Sequence, residues 1–190
     1  QCRHRHSGGG FMSMAALLTY PDFYSAAVSS AGNHDNNIYN KGFVEIHYGV
    51  KEKKEIVKDS AGKEREKIIF EIRSRTNQEL AKNYKGGLLI VTGDMDRTVH
   101  PSHTLRVVDA LIKEGKNFDM LVLPGNSHGF SGAANEFFER KLWFHFAKYL
   151  LGLFSETLVY DEKVCYAMLP IIDLVYRWYG TKATSRYGGL

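Results

Sequence analysis

Three short polar segments carry the residue types that acyl-transfer chemistry uses. Ser7 is followed by three glycines (HSGGG), and Asp96 and His128 lie in separate segments further along the chain. A serine hydroxyl becomes a nucleophile when a histidine removes its proton and a carboxylate orients that histidine. These residues predict a hydrolase in which Ser7 attacks an acyl carbon, His128 transfers the proton and Asp96 stabilises the imidazolium.

The residues after Ser7 are small enough for a sharp turn from a strand into a helix. A nucleophile elbow needs such neighbours, because the backbone bends there and the helix packs closely. The segment FMSMAALLTY favours a helix that stops before Pro21, and its positive N-terminal end would face the developing oxyanion. We expect the backbone N–H of Gly8 to donate to that oxyanion. Taken alone, a glycine-rich stretch is equally compatible with a flexible loop.

The other two segments each follow an apolar run that predicts a buried strand. Asp96 lies in GDMDRTV, after the strand Leu88 to Thr92, and His128 lies in GNSHGF, after the strand Phe118 to Leu123. Functional groups of α/β proteins collect beyond the carboxyl ends of parallel strands. A single loop histidine is commonly structural, but the order Ser, Asp, His at successive strand ends is that of α/β-hydrolases.

The elements that must position these residues alternate between helix and strand from residue 7 to 150, which predicts a mainly parallel sheet flanked by helices. We expect a strand at Tyr24 to Ser30 and a capping box, Thr76 and Glu79, opening a helix. Further helices should begin at Pro101 or Ser102 and span about Ala133 to Leu151.

Residues 33 to 75 form a polar segment that we expect to be helical, with no strand of its own. Within it, the sequence from Lys51 to Lys67 alternates in charge sign (KEKKEIVKDSAGKEREK). We interpret that alternation as a solvated helix face.

Composition narrows the function classes. The 25 basic residues are interspersed with 21 acidic ones in 190 residues, so we predict no nucleic-acid partner. No 18-residue apolar run exists, which predicts no membrane span.

Cys2 and Cys165 are too far apart in sequence for a C-x-x-C site, and His4 and His6 lack two further ligands. We therefore predict no metal and no cofactor. The opening residues QCRHRH do not form a signal peptide, and the compartment stays open.

Together, these segments resemble the prolyl oligopeptidase and dipeptidyl peptidase IV family of serine peptidases. The resemblance covers about residues 6 to 151 and implies an α/β-hydrolase fold, truncated at its start, with residues 1–151 as the C-terminal portion of the catalytic domain and 152–190 as an atypical tail. It assigns the catalytic role to Asp96 rather than Asp94, because the family's aspartate lies three residues after the glycine. It also implies a peptide substrate cut after proline or alanine.

The same resemblance places a substrate pocket. The segment EIHYG at residues 45–49 is similar to the family's E-x-Y-x-G segment, which implies that Phe43, His47, Val99 and Thr98 line the pocket. His47 and Thr98 stand where dipeptidyl peptidase IV-like enzymes have tyrosine and asparagine. A further departure is Arg5, which replaces a family glycine and should crowd the strand against the helix.

Two alternatives stay open at this point. The same triad serves an esterase or acylaminoacyl hydrolase, because pockets rather than fold set the substrate. A catalytically incompetent fragment, acting only as a folded or partner-bound module, is the second. The family's upstream strands, second oxyanion loop and β-propeller have no counterpart in the 190 residues. We therefore expect self-association or docking to a separate N-terminal portion, with the apolar tail covering the exposed surface.

Overall fold

A computed structural model describes residues 2–58, 60 and 62–152, so the expectations for the tail lie outside the described residues. The strands are β1 (Cys2–His6), β2 (Ala26–Ser30), β3 (Lys51–Lys58), β4 (Glu64–Glu71), β5 (Gly87–Gly93) and β6 (Asp119–Leu123). The α-helices are α1 (Gly8–Thr19), α2 (Lys41–Tyr48), α3 (Ser102–Lys113) and α4 (Gly132–Leu151). Two short 3₁₀ helices span Asn36–Ile38 and Gln78–Asn83.

The central sheet is parallel and has the order β1-β2-β5-β6. His6 pairs with Ser30 at one junction, and Ser30 pairs with Val91 at the next. Because the carboxyl ends of parallel strands meet at one sheet edge, the residues that follow β1, β5 and β6 gather at the same edge. The predicted α/β architecture, a mainly parallel sheet with flanking helices, is confirmed.

The core lies on both faces of this sheet. Strand β5 is buried along its whole length, as expected for a strand covered on both faces. Helices α1 and α3 cover one face, and α4 covers the other. The buried side chains that these helices contribute are Met14, Leu17, Leu18, Val107 and Leu111 on the first face, and Phe138, Leu142 and Phe146 on the second.

The expectation of a strand-free, helical segment at residues 33–75 is wrong in part. Helix α2 forms there, but β3 and β4 pair as an antiparallel hairpin instead of the predicted solvated helix face. Charge pairs join the two strands, and pairs of this kind stabilise sheets: Lys54 bonds Glu66 across the hairpin, and Lys58 lies opposite Glu64. Both faces of the hairpin are largely exposed, so no apolar period marks it as strand.

The capping box is confirmed, but the helix that it opens is shorter than predicted. The backbone N–H of Thr76 donates to Glu79 Oε2 at 3.1 Å, and the N–H of Glu79 donates to Thr76 Oγ1 at 3.3 Å. Only the 3₁₀ turn at residues 78–83 follows. The predicted starts of α3 and α4 are confirmed to within one residue.

A buried histidine makes the fold sensitive to acid. The His34 side chain is fully buried, and this burial, together with nearby His103, lowers the pKa of His34 from 6.5 to about 3. In the unfolded chain the His34 ring takes up a proton near pH 6.5, whereas in the folded chain it stays neutral until about pH 3. The contribution of His34 to the stability of the fold is therefore fully present above pH 6.5. The stability is lost, at about 1.4 kcal/mol per pH unit, as the pH falls towards the folded pKa.

We therefore expect the free energy of unfolding, measured with urea at pH 7 and pH 5, to fall more steeply for the natural chain than for His34→Gln. His4 and His145, whose pKa values burial lowers to about 4, act in the same direction in both proteins. The difference between the two slopes isolates His34, and equal slopes would contradict the assignment.

Candidate active site

Ser7 occupies a strained turn between β1 and α1. Its φ of 57° and ψ of −129° lie in a region that side chains disfavour. The Ser7 N–H donates to Ser30 O at 2.9 Å, and the Ser7 carbonyl accepts the N–H of Phe11 at 3.1 Å. A Cβ on Gly10 would lie 2.5 Å from Ser30 O, so the helix approaches β2 this closely only because residue 10 is glycine. The turn presents the Ser7 hydroxyl at the sheet edge.

The crowding expected from Arg5 does not prevent this turn. The Arg5 side chain is exposed, and it passes over Gly9, where an added Cβ would lie 2.6 Å from Arg5 Cβ. The absence of a side chain at Gly9 therefore leaves the room that Arg5 needs.

Asp96 is held by its own loop. Its side chain is buried, and its Oδ1 accepts the backbone N–H groups of Thr98 and Val99, each at 2.9 Å. The second oxygen, Oδ2, lies 2.8 Å from His128 Nδ1. Asp94 is exposed. The structure thus places Asp96, rather than Asp94, against the histidine.

His128 joins the carboxylate to the serine. Its Nε2 lies 2.9 Å from Ser7 Oγ, within the distance that general-base catalysis requires. A carboxylate at Nδ1 favours the tautomer with the proton on Nδ1. The Nε2 lone pair is then directed at the Ser7 hydroxyl. The contacts Ser7–His128–Asp96 form one hydrogen-bonded chain from solvent-accessible serine to buried carboxylate.

The loops that carry Asp96 and His128 are joined through their backbones. The N–H of Met95 donates to Asn126 O at 3.0 Å. A Cβ on Gly93 would overlap Asn126 O and lie 2.7 Å from Ser127 O. A glycine at the end of β5 therefore allows the His128 loop to approach the Asp96 loop.

Gly8 begins α1, where backbone N–H groups have no helical acceptor. The first backbone hydrogen bond of the helix runs from the N–H of Phe11 to the carbonyl of Ser7, so the N–H of Gly8 has no acceptor within the helix. Beside the nucleophile, such an N–H can stabilise the oxyanion of an acyl group on Ser7.

The predicted pocket residues fall into two groups. Phe43 and His47 lie one turn apart on α2, with ring centroids 4.2 Å apart. Thr98 and Val99 belong to the Asp96 loop. Tyr39, which sequence reasoning missed, contacts Phe43 at 5.3 Å and His103 at 5.7 Å.

His103 continues this aromatic row onto α3. It lies at the start of α3, where burial lowers the pKa of His103 and Asp35, the largest of the charged influences, raises it. Phe43, His47, Tyr39 and His103 therefore form one row of ring contacts between α2 and α3. The polar run after β2 follows another strand end at the same sheet edge, and it is the sequence signal that could have identified Tyr39.

Across residues 2–58, 60 and 62–152, histidine, cysteine and carboxylate side chains form no group of three that could hold a metal ion. In the same part of the chain, no helix is both long and apolar enough to cross a membrane.

The strain at Ser7 has a measurable consequence. Ser7→Gly should be more stable than Ser7→Ala, by roughly 1 kcal/mol, because glycine adopts positive φ without steric cost. Both variants lose the hydroxyl, so the comparison isolates the backbone. Urea unfolding measures the difference, and a glycine variant no more stable than the alanine variant would argue against a strained elbow.

Known proteins resemble this chain in sequence and in fold. Residues 4–153 match the prolyl oligopeptidase family. Dipeptidyl peptidase 8 of Mus musculus is 26% identical over 127 residues, which are 66% of this chain and 13% of that protein. Inactive dipeptidyl peptidase 10 of Rattus norvegicus is 23% identical over 156 residues, 82% of this chain and 17% of that protein. The chain therefore spans less than one fifth of the length of these curated relatives.

The crystal structure of Porphyromonas gingivalis dipeptidyl peptidase 4 has a similar fold. It superposes with a TM-score of 0.60 at 21% identity, covering 76% of this chain and 19% of that one. The similarity supports the α/β-hydrolase fold that the parallel sheet and its helices form.

Proposed function

The chain belongs to the prolyl oligopeptidase family, and we propose that it carries the catalytic end of a serine peptidase. One relative is named as inactive, so membership by itself does not decide activity. The observation that carries the proposal is the chain of contacts from Ser7 Oγ to His128 Nε2 at 2.9 Å, and from His128 Nδ1 to Asp96 Oδ2 at 2.8 Å.

The proposed reaction is acyl transfer through a covalent intermediate. Ser7 Oγ attacks the carbonyl carbon while its proton passes to His128 Nε2, and Asp96 stabilises the resulting imidazolium. The N–H of Gly8 donates to the oxyanion. The imidazolium then protonates the leaving amine as the C–N bond breaks. Water, deprotonated by His128, attacks the acyl-enzyme and releases the acid with Ser7 restored.

We propose a peptide substrate and a cut near its amino end, as in dipeptidyl peptidase IV-like exopeptidases that act after proline or alanine. Support comes from the names of the relatives and from the neighbouring rings of Phe43 and His47 on α2, which suit a small apolar side chain. In this proposal Phe43, His47, Val99 and Thr98 line the pocket for the residue before the cut.

The test is a substrate panel. Gly-Pro and Ala-Ala p-nitroanilides are compared with p-nitrophenyl esters, using the natural chain and Ser7→Ala. Cleavage of the anilides that requires Ser7 supports the peptidase. Cleavage of the esters alone would favour the esterase or acylaminoacyl hydrolase. If neither is cleaved, the chain fits the incompetent module, which self-associates or docks to a separate N-terminal portion.

A further inference from the structure

A second histidine lies beside the catalytic one and takes no part in the proposed acyl transfer. His6 ends β1 and directly precedes Ser7. The centroid of its ring lies 4.8 Å from that of His128, with the two planes tilted by 56°. The same ring meets Phe130, two residues after His128, edge to face at 5.3 Å. His6 therefore contacts both the catalytic imidazole and the loop that carries it.

The His6 ring is held in place from the neighbouring strand. Its Nδ1 lies 3.0 Å from Ser30 Oγ, and Ser30 is fully buried at the end of β2. Ser30 Oγ also donates to Arg5 O at 3.2 Å, so the hydroxyl is itself restrained by the backbone of β1. Connected hydrogen bonds of this kind rigidify the side chains that they join. The ring that faces His128 is thus fixed to the sheet.

Removal of this ring would open the triad to water. The Asp96 side chain is fully buried, but a quarter of the His128 side chain is exposed. A cavity of about 290 Å³ borders His6, Gly129 and Phe130, whereas His128 is not part of its lining. Without the His6 ring, this space would extend towards His128. Water would then compete for the hydrogen bond between His128 Nδ1 and Asp96.

The His6 ring is also neutral at neutral pH. Burial, and after it the neighbouring His128, lowers the pKa of His6 from its ordinary value of 6.5. A positive charge at this distance would disfavour the imidazolium that His128 becomes during the reaction. A neutral ring gives the contact without that repulsion.

We propose that His6 is a positioning residue whose ring, anchored by Ser30, holds the His128 imidazole in line between Ser7 Oγ and Asp96 Oδ2. Because His6 and Ser7 are adjacent in the chain, one strand end fixes both the nucleophile and the ring that orients its base. The inference rests on the proposed function, because this orientation affects the rate only if His128 acts as the base.

Two substitutions separate the ring contact from the hydrogen bond to Ser30. His6→Phe keeps a ring but has no Nδ1, whereas His6→Asn keeps a polar group near the place of Nδ1 but has no ring. In His6→Asn, kcat on Gly-Pro p-nitroanilide and the rate of Ser7 labelling by a fluorophosphonate should fall by about 10- to 100-fold, as for a displaced catalytic group. KM should change less than kcat, and His6→Phe should stay close to the natural chain. A natural rate in His6→Asn, or equal losses in both variants, would overturn the proposal.

His4→Leu is the matched control for damage to the strand. His4 lies two residues before His6 on the same face of β1, and its ring packs on Phe138 of α4 at 5.7 Å. The variant perturbs the same strand and leaves the ring beside His128 in place, so labelling of Ser7 should keep its natural rate. Urea unfolding establishes that each variant is folded. A loss of labelling in folded His4→Leu as large as in His6→Asn would overturn the proposal.

The NMR signal of the His128 Nδ1 proton distinguishes failure of this inference from failure of the peptidase. At pH 7 the natural chain should show this proton, bonded to Asp96, as a separate downfield signal that is missing from His128→Ala. His6→Phe should retain the signal, and His6→Asn should lose it through exchange with water. If the natural chain cleaves no anilide and takes no label, the proposed function fails, whereas the signal still decides the role of His6. A signal absent from the natural chain, or equally sharp in His6→Asn, would overturn that role.

Discussion

Replacement of Asp96 by asparagine should lower turnover by about 10⁴-fold while the protein stays folded. The backbone N–H groups of Thr98 and Val99 bond Asp96 Oδ1, so an asparagine keeps its carbonyl oxygen there. Its amide nitrogen then replaces Oδ2 beside His128 Nδ1. Because that nitrogen donates a proton, Nδ1 must accept, and the proton of the imidazole ring then lies on Nε2, which can no longer accept the proton of Ser7.

Asp94→Asn is the matched control. Asp94 is in the same loop but exposed, so its substitution should leave kcat within about twofold. Urea unfolding establishes that both variants are folded. A large loss of kcat in Asp94→Asn, with little loss in Asp96→Asn, would refute the assigned triad.

Gly93→Ala should have the next largest effect, on activity and stability together. A Cβ at this position overlaps Asn126 O and lies 2.7 Å from Ser127 O, next to the loop that carries His128. The backbone must move to admit it. Overpacking of this kind costs about 1–3 kcal/mol of stability, and a displacement of about 1 Å in a catalytic group lowers the rate by about 10²-fold.

Gly129→Ala tests whether position, rather than loss of glycine, is responsible. Gly129 follows His128, and a Cβ there would have nothing within 4 Å. We expect that variant to keep its melting temperature and most of its kcat. The same losses in Gly129→Ala as in Gly93→Ala would contradict the proposed role of the contact between the two loops.

Asp96 and His128 were accessible to sequence reasoning because each follows a strand whose apolar run is unambiguous, whereas Ser7 follows the polar segment QCRHRH and was identified from the small residues after it. Parallel strands bring their carboxyl ends to one edge, so Ser7, Asp96 and His128 could be grouped without knowing any distance. The choice of Asp96 over Asp94 rested on the spacing from the glycine. In the structure, Asp96 is distinguished by the backbone N–H groups of Thr98 and Val99, which donate to one of its carboxylate oxygens.

The hairpin of β3 and β4 was not predictable in the same way. Helix and strand are distinguished by the period of their apolar faces, and a hairpin exposed on both faces shows neither period.

Labelling with a fluorophosphonate tests the central claim, that His128 and Asp96 activate Ser7, most directly. The reagent needs an activated serine but no substrate pocket, and peptide mass mapping locates the bond that it forms. The account predicts one labelled site, at Ser7, absent from Ser7→Ala and much slower to form in His128→Ala. A folded chain that takes no label, or takes it at another residue, would contradict the account.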